Sequence, residues 1–192
     1  MIRAATIADA PRIAEIYRPF VEGGTTSFEL AAPDPREIAA RLERTTAVHP
    51  WIVYEEVAES DASIVTGYAY AVPFRARAAY RWCVESSVYV DPAWGGRSIG
   101  RSLMEVLMRL LADLGLHEVV AGVTLPNPAS VRLHEKLGFE PVGVFPRSGW
   151  KDGDWHDVGF WTRSLRSGPP EADPRPWPSH PAAAGGPIAV DG

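Results

Sequence analysis

Glu85 stands in the run Cys83-Val84-Glu85-Ser86-Ser87-Val88-Tyr89-Val90, a lone carboxylate in a largely apolar, strand-like stretch. Burial penalises the ionised form of a carboxyl group, so this setting raises its pKa toward that of a useful general base, acting directly or through water. A carboxylate on the solvent face of an edge strand has the same signature. His134, on a helical pattern with Val131, Leu133 and Leu137, is the second titratable candidate. With an ordinary pKa near about 6.5, an imidazole gives or takes a proton around neutrality, and a packed structural histidine fits the position too. Between the two lies Asp91-Pro92-Ala93-Trp94-Gly95-Gly96-Arg97-Ser98-Ile99-Gly100-Arg101-Ser102, a glycine-rich turn from a strand into an amphipathic helix. The unpaired N–H groups and the dipole of such a helix start favour an anion, and a turn without bulky side chains can wrap a phosphate. An unliganded connection uses glycine in the same way.

Arg75, Arg77 and Tyr80 cluster just ahead of the Glu85 strand. Guanidinium groups suit carboxylate or phosphinate oxygens through paired hydrogen bonds, although a solvated basic loop reads alike. Cys83 is the single cysteine, so no disulfide forms within the chain; with no activating partner beside it, it reads as a small buried hydrophobe in a reducing compartment. Trp150, Trp155, Phe160 and Trp161 suit either the core of a sheet or a subunit contact.

The elements that must position these groups follow from the hydrophobic period. A short strand near 2–5 leads through capping residues 6–9 to a helix carrying Ala10, Ile13, Ile16 and Tyr17, which Pro19 ends or kinks. Asp34-Pro35-Arg36-Glu37 opens a second helix to about Thr46, with Asp34 as its cap. Residues 51–54 and 63–72 are β-branched and aromatic runs that form an antiparallel hairpin across a polar turn, and 83–90 extends that sheet. The longest helix covers about 98–114, a buried strand 119–123 follows, and Asn127-Pro128-Ala129-Ser130 opens a last helix stopped by Gly138. Strands at 139–145 and 156–163 close a domain spanning 1–165. Residues 166–192 are rich in Pro, Gly and Ala, a composition that offers little apolar surface against chain entropy, so an extended or disordered tail is expected.

A net charge of −5 with no Lys/Arg-rich run argues against nucleic acid as a partner. The start Met1-Ile2-Arg3-Ala4-Ala5 lacks an export signal, and no stretch nears the roughly 20 apolar residues that span a bilayer. A cytoplasmic protein with no membrane partner is therefore expected.

This order of elements resembles that of the GNAT-type acetyltransferase superfamily, and three stretches carry a closer similarity to its phosphinothricin acetyltransferase branch over nearly all of 1–165. They are Tyr80-x-Trp82-x-x-Glu85-Ser86-Ser87-Val88-Tyr89-Val90, Leu125-Pro126-Asn127-Pro128-x-Ser130-Val131-Arg132-Leu133-His134-Glu135-x-Leu137-Gly138-Phe139, and Gly153-x-Trp155-His156-Asp157-Val158-Gly159-Phe160-Trp161. The resemblance implies an α/β (α+β) fold with a mixed, mostly antiparallel sheet flanked by about four helices. It implies acetyl-CoA as co-substrate, no metal, and a small-molecule amine such as phosphinothricin or methionine sulfoximine as acceptor. Glu85 and His134 become the catalytic pair. The implied acetyl-CoA contacts are Val88, Tyr89 and Val90 on the strand, Gly96, Arg97, Ser98, Ile99, Gly100 and Arg101 in the loop, and Asn127 and Ser130 at the last helix. Phe28, Arg75, Arg77, Tyr80, Thr124 and Val158 are the implied acceptor-pocket residues, and a homodimer is implied as well.

The superfamily's loop reads Gln/Arg-x-x-Gly-x-Gly/Ala. In the register set by Val88-Tyr89-Val90, Gly95 stands where Gln or Arg is usual and Ser98 where the first glycine is usual, while Gly100 matches. Ser98 fits there with a negative φ and its hydroxyl donated to phosphate. A strand bulge at Val88–Val90 would turn their N–H groups toward a thioester oxygen. Thr124 replaces a smaller glycine of the branch, so the pocket width differs. Two other readings stay open: an acetyltransferase for another amine, such as a polyamine that Arg75 and Arg77 would repel, and a non-catalytic acyl-CoA-binding module, which the loop departures suit.

Overall fold

A computed structural model describes residues 1–57 and 63–189. Strand β1 (Ile2–Ala4) pairs antiparallel with β2 (Trp51–Val57), which continues antiparallel into β3 (Ser63–Pro73) and β4 (Cys83–Val90). The β-branched and aromatic runs favour this pleated, half-buried surface. The polar turn expected between β2 and β3 lies outside the described residues. β5 (Glu118–Leu125) joins parallel to β4, and the hairpin of β6 (Glu140–Lys151) and β7 (Asp154–Ser164) adds through β7. With β8 (Pro187–Ile188) on the far side of β1, the sheet order is β6-β7-β5-β4-β3-β2-β1-β8.

Alternation along the strands divides the interior into two cores. Ile52, Ala69, Ala71, Val84, Val119, Ala121 and Val123 face α3 (Ile99–Asp113), where Leu103, Met104, Leu107 and Leu111 are buried. Trp51, Val53 and Tyr68 face the other way, onto α1 (Ala10–Glu22) and α2 (Pro35–Thr46). α4 (Pro128–Lys136) lies on the α3 side, with Val131 and Leu133 against that core. Asp34 caps α2 as expected, accepting the Glu37 N–H at 2.8 Å, with Pro35 first in the helix.

Three expectations change. Of the two effects expected of Pro19, ending the helix is excluded, since α1 runs on to Glu22; the proline removes one N–H close to the helix end, and buried Val21 holds the last turn in place. The β6–β7 strands reach past their expected ends at 145 and 156, because Asp152 (φ 53°) and Gly153 (φ 80°) form a tight turn whose left-handed residues match the strand twist. The Pro/Gly/Ala-rich tail, expected to be extended or disordered, is docked over its described residues 166–189. Trp177 is 2% exposed in the α3 core, its N–H donates to the Val48 carbonyl at 2.8 Å, and β8 pairs with β1. Two apolar side chains, Trp177 and Ile188, supply burial that average composition conceals.

Among the described residues no helix is long and apolar enough to cross a membrane. Trp177→Ala is expected to cost about 3–5 kcal/mol of stability. Urea unfolding measures this, and an unchanged midpoint would detach the tail from the core.

Candidate active site

β4 and β5 pair only at Cys83↔Glu118, Val84↔Val119 and Glu85↔Val120. β4 stays bonded to β3 as far as Val90, and β5 to β7 as far as Leu125, so beyond Glu85 and Val120 the two strands part. The wedge opens at their C-terminal ends, where parallel strands ordinarily receive ligands. The expected bulge is absent, since the β3–β4 register runs without a shift from Pro73↔Val84 to Gly67↔Val90. Alternation supplies the donors instead. The Asp91 N–H donates to Thr66 and the Phe74 N–H to Cys83, so the odd-numbered residues of β4 turn their main-chain groups to β3. Ser86, Val88 and Val90 therefore aim theirs into the wedge. Tyr89 turns its N–H to β3, and its ring packs with Tyr17 and Tyr68 at 4.8 and 5.4 Å.

The wedge is a narrow cleft of ≈ 60 Å³, and its lining includes Thr26, Ser86, Val88, Gly122, Thr124, Asn127, Ser130 and His134. Glu85 lies at its rim on the α1/α2 face, sharing strand parity with Tyr89. A methyl group on Gly122 would sit 3.3 Å from its Oε1, so the bare glycine makes room for the carboxylate. Burial pushes the Glu85 pKa up, partly offset by the Arg75 charge. His134 is 5% exposed on the opposite, α4 side. Its Nδ1 lies 2.8 Å from the Ser130 carbonyl, which fixes the proton on Nδ1 and leaves Nε2 as the basic nitrogen. Burial lowers the His134 pKa, against the opposing pull of that carbonyl, so the imidazole is neutral near pH 7. The Cys83 thiol, by contrast, is pushed up to about 11 by burial and then by Glu118, which makes it a poor nucleophile.

The start of α3 flanks the cleft. Ser98 adopts φ 60°, ψ 8°, so the condition under which a serine replaces the glycine without strain is not met: the residue that links the turn at Pro92–Trp94 to α3 is left-handed. Its hydroxyl makes no capping bond. Gly100 faces β4, where a methyl group would lie 3.5 Å from Val90, so the first turn of α3 sits beside the wedge. Arg97 stacks over Trp94 at 4.6 Å and Arg101 pairs with Glu105 at 2.8 Å. Asn127 accepts the Ser130 N–H through Oδ1 at 3.1 Å, which leaves its amide hydrogens for a ligand.

The expected acceptor residues fall into three places. Arg75, over the Phe74 ring at 4.1 Å, lines an apolar groove of ≈ 520 Å³ with Cys83, Val120, Phe145 and Phe160 on the Glu85 face of the sheet. Val158 pairs with Thr124 in the adjoining ladder. Arg77 and Tyr80 line only a recess against Asp173–Pro176 of the tail, which Arg75 borders too. Phe28 lies over the β6–β7 hairpin, its ring 6.2 Å from that of His156. Sequence reasoning missed Thr26 and Gly122; a glycine inside a buried strand does signal close approach, whereas a threonine in a polar loop signals nothing.

Residues 11–139 match the Acetyltransferase (GNAT) family, and the chain belongs to that family. It is 39% identical over 175 residues to a phosphinothricin N-acetyltransferase of Streptomyces viridochromogenes, covering 91% of this chain and 93% of that protein. It is 37% identical over 165 residues to an L-methionine sulfoximine/L-methionine sulfone acetyltransferase of Salmonella typhimurium, with 85% and 94% covered. A phosphinothricin acetyltransferase of Sinorhizobium meliloti, solved in complex with AcCoA, superposes with a TM-score of 0.82 at 36% identity, covering 90% of this chain and 94% of that one.

Two outcomes are expected from thermal unfolding. Ser98→Gly removes a left-handed serine and stabilises by up to about 1 kcal/mol. Glu85 has a folded pKa above its unfolded one, so its ionisation costs nothing at low pH and destabilises as pH rises through the folded value. Glu85→Gln therefore raises Tm at pH 7 and leaves it nearly unchanged at pH 4; a shift equal at both would show that charge burial is not the cause.

Proposed function

We propose that the chain is an acetyl-CoA-dependent N-acetyltransferase that modifies the α-amino group of a small glutamate-like or methionine-derived amino acid, of the phosphinothricin or methionine sulfoximine type. The observation that carries this reading is the wedge between β4 and β5, with inward main-chain donors and a proton acceptor on either face. The relatives named for these substrates support it, as does the AcCoA complex.

Acetyl-CoA is a co-substrate here. Its phosphates suit the first turn of α3 and its arm the wedge beside Asn127, which brings the thioester oxygen to the N–H groups of Val88 and Val90. Glu85 removes the proton from the incoming ammonium, aided by its raised pKa. The freed amine attacks the thioester carbon, a C–N bond forms, and the carbonyl electron pair moves onto the oxygen. His134, neutral with Nε2 free, takes the second proton from nitrogen as the intermediate forms. Collapse breaks the C–S bond, and His134 returns its proton to the thiolate. The product amide and CoA thiol leave, with one proton released from Glu85. Direct attack is favoured because the Cys83 thiol is held protonated.

Arg75 is the acceptor-recognition cation in this scheme, since it alone of the two expected arginines shares the groove on the Glu85 face. The chain works as a homodimer: beyond the groove that Val142, Val144 and Phe145 line, the β6–β7 hairpin leaves Trp150 and Trp155 exposed, an apolar surface that a second copy covers. The lone unpaired cysteine suits the reducing interior of a cell.

The test is thiol release from acetyl-CoA with phosphinothricin, methionine sulfoximine, methionine sulfone, glutamate and spermidine. Turnover is expected with the oxyanion-bearing amino acids and not with spermidine. Glu85→Gln and His134→Ala should each lower kcat by about 10²–10⁴-fold. Silence on the whole panel despite acetyl-CoA binding would favour another acceptor amine or a non-catalytic module.

A further inference from the structure

Lys151 ends β6 and is 5% exposed, yet among the described residues it faces no carboxylate. Its ammonium donates instead to three main-chain carbonyls: Val21 at 2.5 Å, Gly24 at 2.7 Å and Ser27 at 2.8 Å. An ammonium has three donors, and burying it is tolerable only when all are used. All three go to one stretch of chain. Val21 lies in the last turn of α1, where unpaired carbonyls and the helix dipole attract a cation, and Gly24 and Ser27 follow in the segment that leads to α2.

A second contact acts between the same two partners. Phe28 lies flat against Gly149 of β6, where a methyl group would come within 2.2 Å of the ring, so only glycine admits it. From the opposite side the Tyr17 hydroxyl meets Ser27 Oγ at 2.6 Å and donates to Glu29 at 2.9 Å, and Arg41 holds the Glu29 carboxylate. Thr26, set between two of the carbonyls that Lys151 gathers, lines the wedge.

We propose that Lys151 is a positioning residue that latches residues 24–28 across the acceptor side of the wedge, and so sets the affinity for the amine rather than for acetyl-CoA. The inference rests on the acetyltransferase reading. The latched segment extends from α1 on the Glu85 face and reaches the wedge through Thr26, whereas the loop suited to the phosphates, the start of α3 and α4 receive nothing from Lys151.

Lys151→Met keeps the length of the side chain and removes its donors. It is expected to raise KM for methionine sulfone by about tenfold or more, because small displacements of a positioning loop weaken binding strongly. KM for acetyl-CoA should stay within about twofold, and amide hydrogen exchange should accelerate over residues 22–29 while α3 is unaffected. Lys151→Gln, with two donors on a shorter stem, should fall between. Gly149→Ala leaves the ammonium in place and displaces Phe28; it should reproduce the KM split and carries the test if neither Lys151 variant folds. Equal changes in both KM values, or an unchanged acceptor KM, would overturn the latch. Exchange is read without turnover, so the two proposals separate: a wild-type protein inert on the acceptor panel would sink the functional reading, while unaltered exchange over 22–29 in Lys151→Met would sink the latch.

Discussion

Everything at the site depends on hydrogen bonds that β4 and β5 do not make. Neighbouring strands ordinarily satisfy one another's main chain, and a buried N–H left without a partner is costly. Here the ladder stops after Glu85↔Val120, while each strand keeps its outer partner, so the gap is held open by two intact ladders and cannot simply close. The vacated edge of β4 is thus rigid and polar at once, which is what an oxyanion requires of its donors. A bulge would have delivered similar groups at the expense of local regularity; divergence leaves β4 straight and lets its two faces serve different partners.

The two faces also impose opposite demands on protons. Desolvation raises the pKa of the Glu85 carboxyl and lowers that of the His134 imidazole, so burial favours the uncharged form of each. His134 is further constrained by Ser130, one helical turn before it, whose carbonyl selects the tautomer. Orientation and basicity of the imidazole are therefore properties of α4, whereas the basicity of Glu85 follows from its burial beside a glycine that leaves room for the carboxylate, tempered by Arg75.

Much of this was legible in the sequence because it is written in residue types. The order of elements follows from hydrophobic period, and Glu85 and His134 are titratable groups in apolar patterns. What was not legible is written in the main chain. No side chain announces where a ladder ends, since the missing bonds belong to groups every residue carries. Ser98 gives no sign of its left-handed φ, because serine does not usually adopt it. Lys151 beside the Asp152–Gly153 turn reads as a solvated cation, and its three partners are anonymous carbonyls. Average composition did not show that the tail docks, because the docking rests on two side chains, Trp177 and Ile188, among many prolines.

The same tail alters what the sheet can do at its margins. β8 covers the outer side of β1 with only two residues, and the first of them, Pro187, has no N–H to offer a newcomer. That margin offers little to a newcomer, whereas among the described residues β6 at the opposite end carries no neighbour and presents apolar side chains. A sheet with two open margins can be extended by copy after copy into a fibre. A short, proline-bearing strand at one margin discourages that route and leaves β6 as the margin where an added strand would meet a long row of main-chain groups.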